Sequence, residues 1–373
     1  MDKLKFYTAI LYYLIIFQAC AQKDNNIKTP EKKLVSAELV VGDLNNPWGM
    51  AFLPDGSMLI TEKSGTLIHF ENGQKNRVIN LPEIVQIGQG GLLDIALHPA
   101  YEKNGWIYIT YSSPAGSNKG GNTAILRAKL KDNALEEIEV LYKGTPNTDA
   151  GAHWGSRIEF DNENFLYFSI GDRYNRDVNP QDLSRDGGKI YRLHDDGRVP
   201  KDNPFVSTAS AKAAIYSYGH RNPQGMAKHP STGEIWIHEH GPKGGDEINR
   251  IKKGANYGWP VITYGKNYSG TTITDQTKAE GMEQPIYYWV PSIAPCGMTF
   301  VTSEKYPFWK NDLLIGSLKF AYLEHLSLKN DKVINREKIV EGIGRLRNVR
   351  QAPDGFIYIA VEGEGIYKLI AEE

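Results

Sequence analysis

The chain is poor in cysteine, and that poverty rules out several kinds of protein. Its 373 residues include two, Cys20 and Cys296. Neither a disulfide framework nor a thiolate-rich metal cluster can be built from them. The haem-attachment motif Cys-x-x-Cys-His is missing, which excludes a covalently held haem. An excess of one charge is absent too: 43 Lys and Arg face 44 Asp and Glu, a net charge of -1. General attraction to nucleic acid or an anionic membrane is thereby excluded, and any basic character must be local. Helical periodicity is scarce. The best helix candidate, around Asp132–Val140, is short and poorly capped.

The N-terminus reads as a targeting segment. Lys3 and Lys5 precede an apolar run, Ala9–Phe17, too short to span a bilayer. Gln18-Ala19-Cys20 then offers a small residue before a cysteine, as at a bacterial lipoprotein cleavage site, although Phe17 stands where Leu is usual. A plain secretory signal cut near Ala19 or Ala21 is the alternative. Either way the protein is expected to be exported, as a periplasmic protein or outer-membrane lipoprotein, touching a membrane only through a lipid anchor. The expected organisation is a signal peptide over 1–20, a polar tether over 21–34 and one folded domain over 35–373.

What the chain does have is a repeat. Pro47–Ile60 reads as strand, Asp-Gly turn, strand, with alternating apolar residues. Similar units follow at Gly91–Tyr111, Gly155–Ile170, Gln224–Glu239, Gly297–Ser317 and Asn348–Val361. About six units, roughly 45 to 75 residues apart, predict an all-β fold, a six-bladed β-propeller. Aromatics at 11% and 37 Gly suit such a turn-rich chain. In a hairpin, the start of the first strand and the end of the second share one edge. Gln89, His153, Arg221, Arg345 and Arg347 lie before first strands; Asp172, Gly241-Pro242 and Lys319 lie after second strands. All should converge at one end of the central channel.

Chemistry can be read from those residues. His153, in Gly151-Ala152-His153-Trp154-Gly155, is a candidate general base. Asp172 ends the second strand of the unit that His153 introduces, so it could fix the imidazole tautomer; an Asp172–Arg173 turn or surface ion pair is the competing reading. Arg221, Lys319, Arg345 and Arg347 form a cationic pocket for a multiply anionic ligand, with Arg345 and Arg347 on one face of an extended segment. His238 and His240 share a strand face and could bind a transition metal. The nearby oxygen donors, Glu247 among them with the Gly241-Pro242 turn, suit a harder ion such as Ca²⁺.

Taken in order, Gly88-Gln89-Gly90-Gly91, Gly151–Gly155, Gly219-His220-Arg221-Asn222-Pro223, Gly241-Pro242 with Asp246–Asn249, Asn256-Tyr257-Gly258-Trp259-Pro260 and Gly344-Arg345-Leu346-Arg347 resemble the glucose/sorbosone dehydrogenase family. These are soluble sugar dehydrogenases that use pyrroloquinoline quinone (PQQ), and the likeness runs from about Val35 to Leu369. The resemblance implies that His153 removes the proton of the sugar C1 hydroxyl while hydride passes to PQQ, giving a lactone. Asp172 would orient the histidine and Arg221 would stabilise charge on the quinone oxygens. Gln89, Asn222, Lys319, Arg345 and Arg347 would hold the cofactor. Carbonyls of Gly241 and Pro242 would bind the Ca²⁺ beside it, while Glu247 and Tyr257 match positions used for a second, structural Ca²⁺. An aldose is the implied substrate, the stretch Tyr264–Gln284 is expected to help shape its pocket, and the electron acceptor would be a separate cytochrome or quinone.

Two other functions compete. A metal-dependent lactonase propeller needs carboxylates and Asn around one ion, which the four cations oppose. A propeller that binds glycan or protein without catalysis leaves the pairing of His153 with Asp172 unexplained.

Overall fold

The structure, a computed structural model, describes residues 35–372. The signal peptide and tether expected over 1–34 lie outside the described residues. Among the described residues no helix is long and apolar enough to cross a membrane.

Six four-stranded antiparallel sheets are present, as expected of a six-bladed propeller. The repeated units of the sequence are the two inner strands of each blade: Pro47–Phe52 with Met58–Glu62, Leu92–Leu97 with Trp106–Ser113, Ile158–Phe160 with Leu166–Ile170, Pro223–Lys228 with Ile235–Glu239, Pro295–Phe300 with Leu313–Ser317, and Leu346–Gln351 with Ile357–Val361. Strands covered on both faces read as unbroken apolar runs. Ile357–Val361 and Leu166–Ile170 are buried throughout. The ring closes by joining the chain's two ends: Val35–Val41 is the outer strand of the last blade and pairs with Gly365–Ala371. Pairing the first strand with the last leaves no seam held by side chains alone.

The segment around Asp132–Val140 is not helical. Strands Asn122–Lys131 and Ala134–Lys143 meet there through Asp132-Asn133, both at positive φ (48° and 58°). Asp and Asn tolerate the left-handed conformation that a two-residue hairpin turn needs, so turn chemistry prevails over a weak helical pattern.

In five blades the first strand carries a register shift near its start, at Pro47/Gly49, Leu92/Ile95, Pro223/Gly225, Cys296/Met298 and Leu346/Asn348. A bulge re-aims the residue it contains. Trp48, Asp94, Gln224 and Arg347 fall at these shifts and meet at Arg157 of the third blade. The Arg157 guanidinium is 1% exposed and stacks on Trp48 at 3.9 Å. It donates to the Gln224 carbonyl (2.7 Å), the Arg347 carbonyl (2.8 Å), Asp94 Oδ1 (3.3 Å) and Cys296 Sγ (3.3 Å). Every blade therefore contributes to one buried cluster on the axis. Cys296 is a free buried thiol within it.

Candidate functional site

His153 and Asp172 are brought together as the hairpin edge requires. His153 Nδ1 lies 2.6 Å from Asp172 Oδ1, and the Trp259 indole donates to Asp172 Oδ2 at 2.8 Å. With Nδ1 committed to the carboxylate, Nε2 is the nitrogen left for a ligand. Tyr174 stacks on the imidazole, ring centroids 4.8 Å apart. His153 has φ 58°, and its N–H donates to Gln89 Oε1 at 3.0 Å. Small neighbours permit this loop. A Cβ on Gly171 would strike the His153 carbonyl, and one on Gly88 would strike the Gly151 carbonyl. Gly88 and Gly171 thus permit close backbone approach.

Burial pulls the His153 imidazole below its ordinary value; the Asp172 hydrogen bond pushes it back up, while Arg221 and Arg173 lower it further. Burial raises Asp172, but its bond to His153, the His153 and Arg221 charges and the Trp259 hydrogen bond outweigh this and hold it below the usual carboxylate range. A neutral imidazole beside an ionised carboxylate is the resting state of a general base.

Two adjoining cavities open here. One of about 230 Å³ is lined by His153, Asp172, Tyr174, Arg221, Trp259 and Tyr268, among others. Its rim joins two loops, since Arg176 donates to Asn267 Oδ1 at 2.7 Å. The second, about 610 Å³, is lined by Gln89, Asn222, Pro242, Lys319, Arg345 and Arg347, with Lys63, Lys243, Trp154 and Glu362. Five cationic side chains (Lys63, Lys243, Lys319, Arg345, Arg347) face one carboxylate there, a strong local excess on a neutral protein. The Gln89 and Asn222 amide oxygens accept from the His153 and Gly155 N–H groups, which leaves their NH₂ groups for the cavity. Arg345 and Arg347 do share a face, and both bind Glu362, with Nε–O distances of 2.7 and 2.8 Å. Arg347 lies within its strand, at the bulge, rather than before it. Arg221 is not part of this pocket's lining; it lines the smaller cavity, where its Nη1 donates to the His240 and Gly241 carbonyls. Lys63, Lys243 and Glu362 carry no signal in the sequence, because single charges in loops have no period, whereas Trp154 stands within the Gly151–Gly155 motif.

A void of only about 10 Å³ is lined by Glu239, Gly241, Glu247 and Tyr257, among others. That is room for a single water or ion. Burial and then Glu239 push Glu247 up to about 8. Asn249 Nδ2 bridges the two carboxylates, while its Oδ1 is buried without a partner. Glu239 and Glu247 are thus two carboxylates facing one small void, and oxygen donors of this kind suit a hard cation. Glu239 carries no distinguishing signal in the sequence, because it ends a strand as an ordinary last residue would. Gly241 lies at this void, whereas Pro242 lines both larger cavities. Tyr257 spends its hydroxyl on the Arg250 carbonyl and the Lys252 N–H, so only its backbone oxygen is free for a cation. His238 and His240 do not form a metal pair: their Nε2 atoms bond the Gly297 (3.2 Å) and Pro295 (2.6 Å) carbonyls.

Residues 44–369 match the model of a family described as glucose/sorbosone dehydrogenase. The chain belongs to that family. It is 40% identical over 337 residues to aldose sugar dehydrogenase YliI of Escherichia coli (strain K12), covering 88% of this chain and 90% of the relative. The apo-form crystal structure of the soluble aldose sugar dehydrogenase from Escherichia coli superposes with a TM-score of 0.87 at 38% identity, over 91% of this chain and all of that one (100%). A PQQ-bound aldose sugar dehydrogenase from Streptomyces coelicolor gives 0.74 at 28% identity, over 92% and 99%. The propeller is thus the family's own architecture.

Proposed function

We infer that this family member is a PQQ-dependent sugar dehydrogenase that oxidises aldoses at C1 to the lactone, and that its active site lies at one end of the central channel. The observation that carries the reading is the His153–Asp172 pair lining a cavity that adjoins, through Pro242 and Tyr268, a second one with five cations. PQQ bears three carboxylates, and the donors present fit it. Lys319, Arg345, Arg347, Gln89 and Asn222 would hold the cofactor, and the buried Arg221 Nε, which has no protein partner, supplies an unused donor beside it. Bound there, PQQ supplies the acceptor for a hydride from C1.

The chain's own residues handle the proton. His153 Nε2 takes it from the C1 hydroxyl, and Asp172 holds the imidazole in the tautomer that presents a free Nε2 and stabilises the imidazolium that follows. Arg221 places fixed positive charge beside the base and disfavours protonation before substrate arrives. The sugar would occupy the 230 Å³ cavity, against Tyr174, Trp259 and Tyr268. Calcium would be held by the Gly241 and Pro242 carbonyls and, at the structural site, by Glu247 and Tyr257 with Glu239 added. The cations facing the larger cavity oppose the lactonase alternative, which needs carboxylates there.

The protein is read as exported, with electrons passing to an external cytochrome or quinone. Titrating the apo-protein with PQQ and Ca²⁺, then adding aldose and a dye acceptor, tests the function. Stoichiometric binding with sugar-dependent dye reduction is expected; absence of PQQ binding would overturn it.

A further inference from the structure

Arg173 follows Asp172 in the chain, and a charged residue at the end of a strand is ordinarily solvated. Here it is 1% exposed and makes no ion pair with its neighbour. Arg173 and Tyr174 both adopt positive φ (55° and 62°), a left-handed step that sends the two side chains opposite ways. Tyr174 stacks on His153, while the Arg173 guanidinium turns inward. Its Nη1 donates to the Ala152 carbonyl and its Nη2 to the Ala150 carbonyl (2.7 Å) and Thr148 Oγ1 (3.3 Å). The guanidinium carbon lies 3.4 Å from the centre of the Trp154 ring. Trp154 is itself a wall of the large cavity. One planar group therefore grips the backbone on the N-terminal side of His153 and the side chain on its C-terminal side. A lysine could not do both, because the fork and the stacking face belong to the guanidinium.

We propose that Arg173 is the positioning residue of the base: it clamps the 148–152 loop against Trp154 and so holds His153 in register with Asp172. The proposal rests on the reading of His153 as the base. Such a clamp is needed because His153 has φ 58°, a conformation a β-region loop would leave if released. Gln89 holds the loop from the other side. The charged and titratable groups that face the imidazole are Asp172, Tyr174, Arg173 and Arg221, so Arg173 also contributes fixed positive charge beside it.

The test compares Arg173→Met and Arg173→Lys with wild type, first without cofactor. In the apo-protein, side-chain NMR follows the His153 imidazole with pH, and hydrogen exchange follows the 150–154 amides. Arg173→Met should raise the imidazole pKa, since a like charge is removed, and should speed exchange at 150–154 on the order of tenfold. Arg173→Lys keeps the charge and loses the fork, so exchange should quicken while the titration stays near wild type. In the PQQ-loaded enzyme both variants should lose about ten- to a hundredfold in kcat, with the sugar KM and the PQQ dissociation constant nearly unchanged. Wild-type titration and exchange in both variants would overturn the clamp, and Arg173→Lys gives this answer even where Arg173→Met fails to fold. A wild-type protein that reduces no dye with any aldose would overturn the dehydrogenase reading instead, and the apo measurements would still judge the clamp.

Discussion

Asp172 lies 19 residues beyond His153, yet its carboxylate oxygen is 2.6 Å from the imidazole Nδ1. The hairpin Ile158–Ile170 accounts for the meeting, because its two ends return to one edge. The second oxygen is taken by Trp259 Nε1, from another blade. Both Asp172 oxygens are thus committed, and the imidazole's hydrogen bond to Asp172 goes through Nδ1, leaving Nε2.

Replacing His153 by Gln should reduce turnover by about 10²–10⁴-fold while PQQ still binds. Steady-state kinetics alongside a PQQ titration checks both halves. Near-normal kcat would remove His153 as the base.

The acidic limb of kcat/KM should lie below the ordinary imidazole value of 6.5, because burial, Arg221 and Arg173 together outweigh the upward push from Asp172. Asp172→Asn removes that push, so the limb should move further to acid pH as kcat falls steeply. A limb displaced toward neutral pH would contradict the assigned balance.

Arg347→Ala should weaken PQQ binding on the order of 10- to 100-fold. Arg345→Ala should cost less, since its side chain is 56% exposed. Affinity should fall with added salt in the wild type and less steeply in each variant. A PQQ dissociation constant unmoved in both would refute the cradle.

Stability should respond to calcium through Glu247, whose pKa stands at about 8, above the ordinary 4.5. A carboxyl raised on folding stabilises fully below its unfolded value, and that contribution is lost as pH rises through its folded value. With chelator present, Tm should therefore decline between about pH 4.5 and 8. Added Ca²⁺ should flatten the decline, and Glu247→Gln should abolish it. Melting curves indifferent to Ca²⁺ at pH 8 would argue against the site.

Arg157→Met should be among the most destabilising substitutions, by roughly 3–5 kcal/mol, because it removes the buried donor of the Gln224 and Arg347 carbonyls and leaves Asp94 with Arg350 as its remaining cation. Denaturant unfolding gives the value. A loss below about 1 kcal/mol would mean that the axial cluster does not tie the blades together.

The inner strands were legible because each hairpin carries its own instructions. Alternating apolar residues around Asp55-Gly56 or Asp354-Gly355 specify strand, turn and strand from neighbours alone. Hairpin geometry then places Gln89, His153, Asp172, Arg221, Lys319 and Arg345 at a common end. The outer strands were harder to read. Gln74–Val78 and Lys332–Ile339 are largely exposed and polar, so little apolar pattern marks them. Over Asp132–Val140 the strand residues are likewise mostly exposed, and the Asp132-Asn133 turn decides against a helix.

What only the tertiary structure decided is the partition of those residues among three cavities, together with the roles of side chains that no spacing distinguishes. Arg221 lines a different cavity from Arg345 and Arg347, Glu239 faces Glu247, and Arg173 turns inward although it follows Asp172 directly. Arg157 meets residues of every other blade. These relations depend on the closure of the ring, which sets residues 190 positions apart in hydrogen-bond contact, as with Arg157 and the Arg347 carbonyl, or 300 apart, as with Asn348 and the Trp48 carbonyl. Local propensity determines hairpins and their edges. Burial, charge pairing and access to a cavity arise only once six sheets share one axis, and they are properties of that packing.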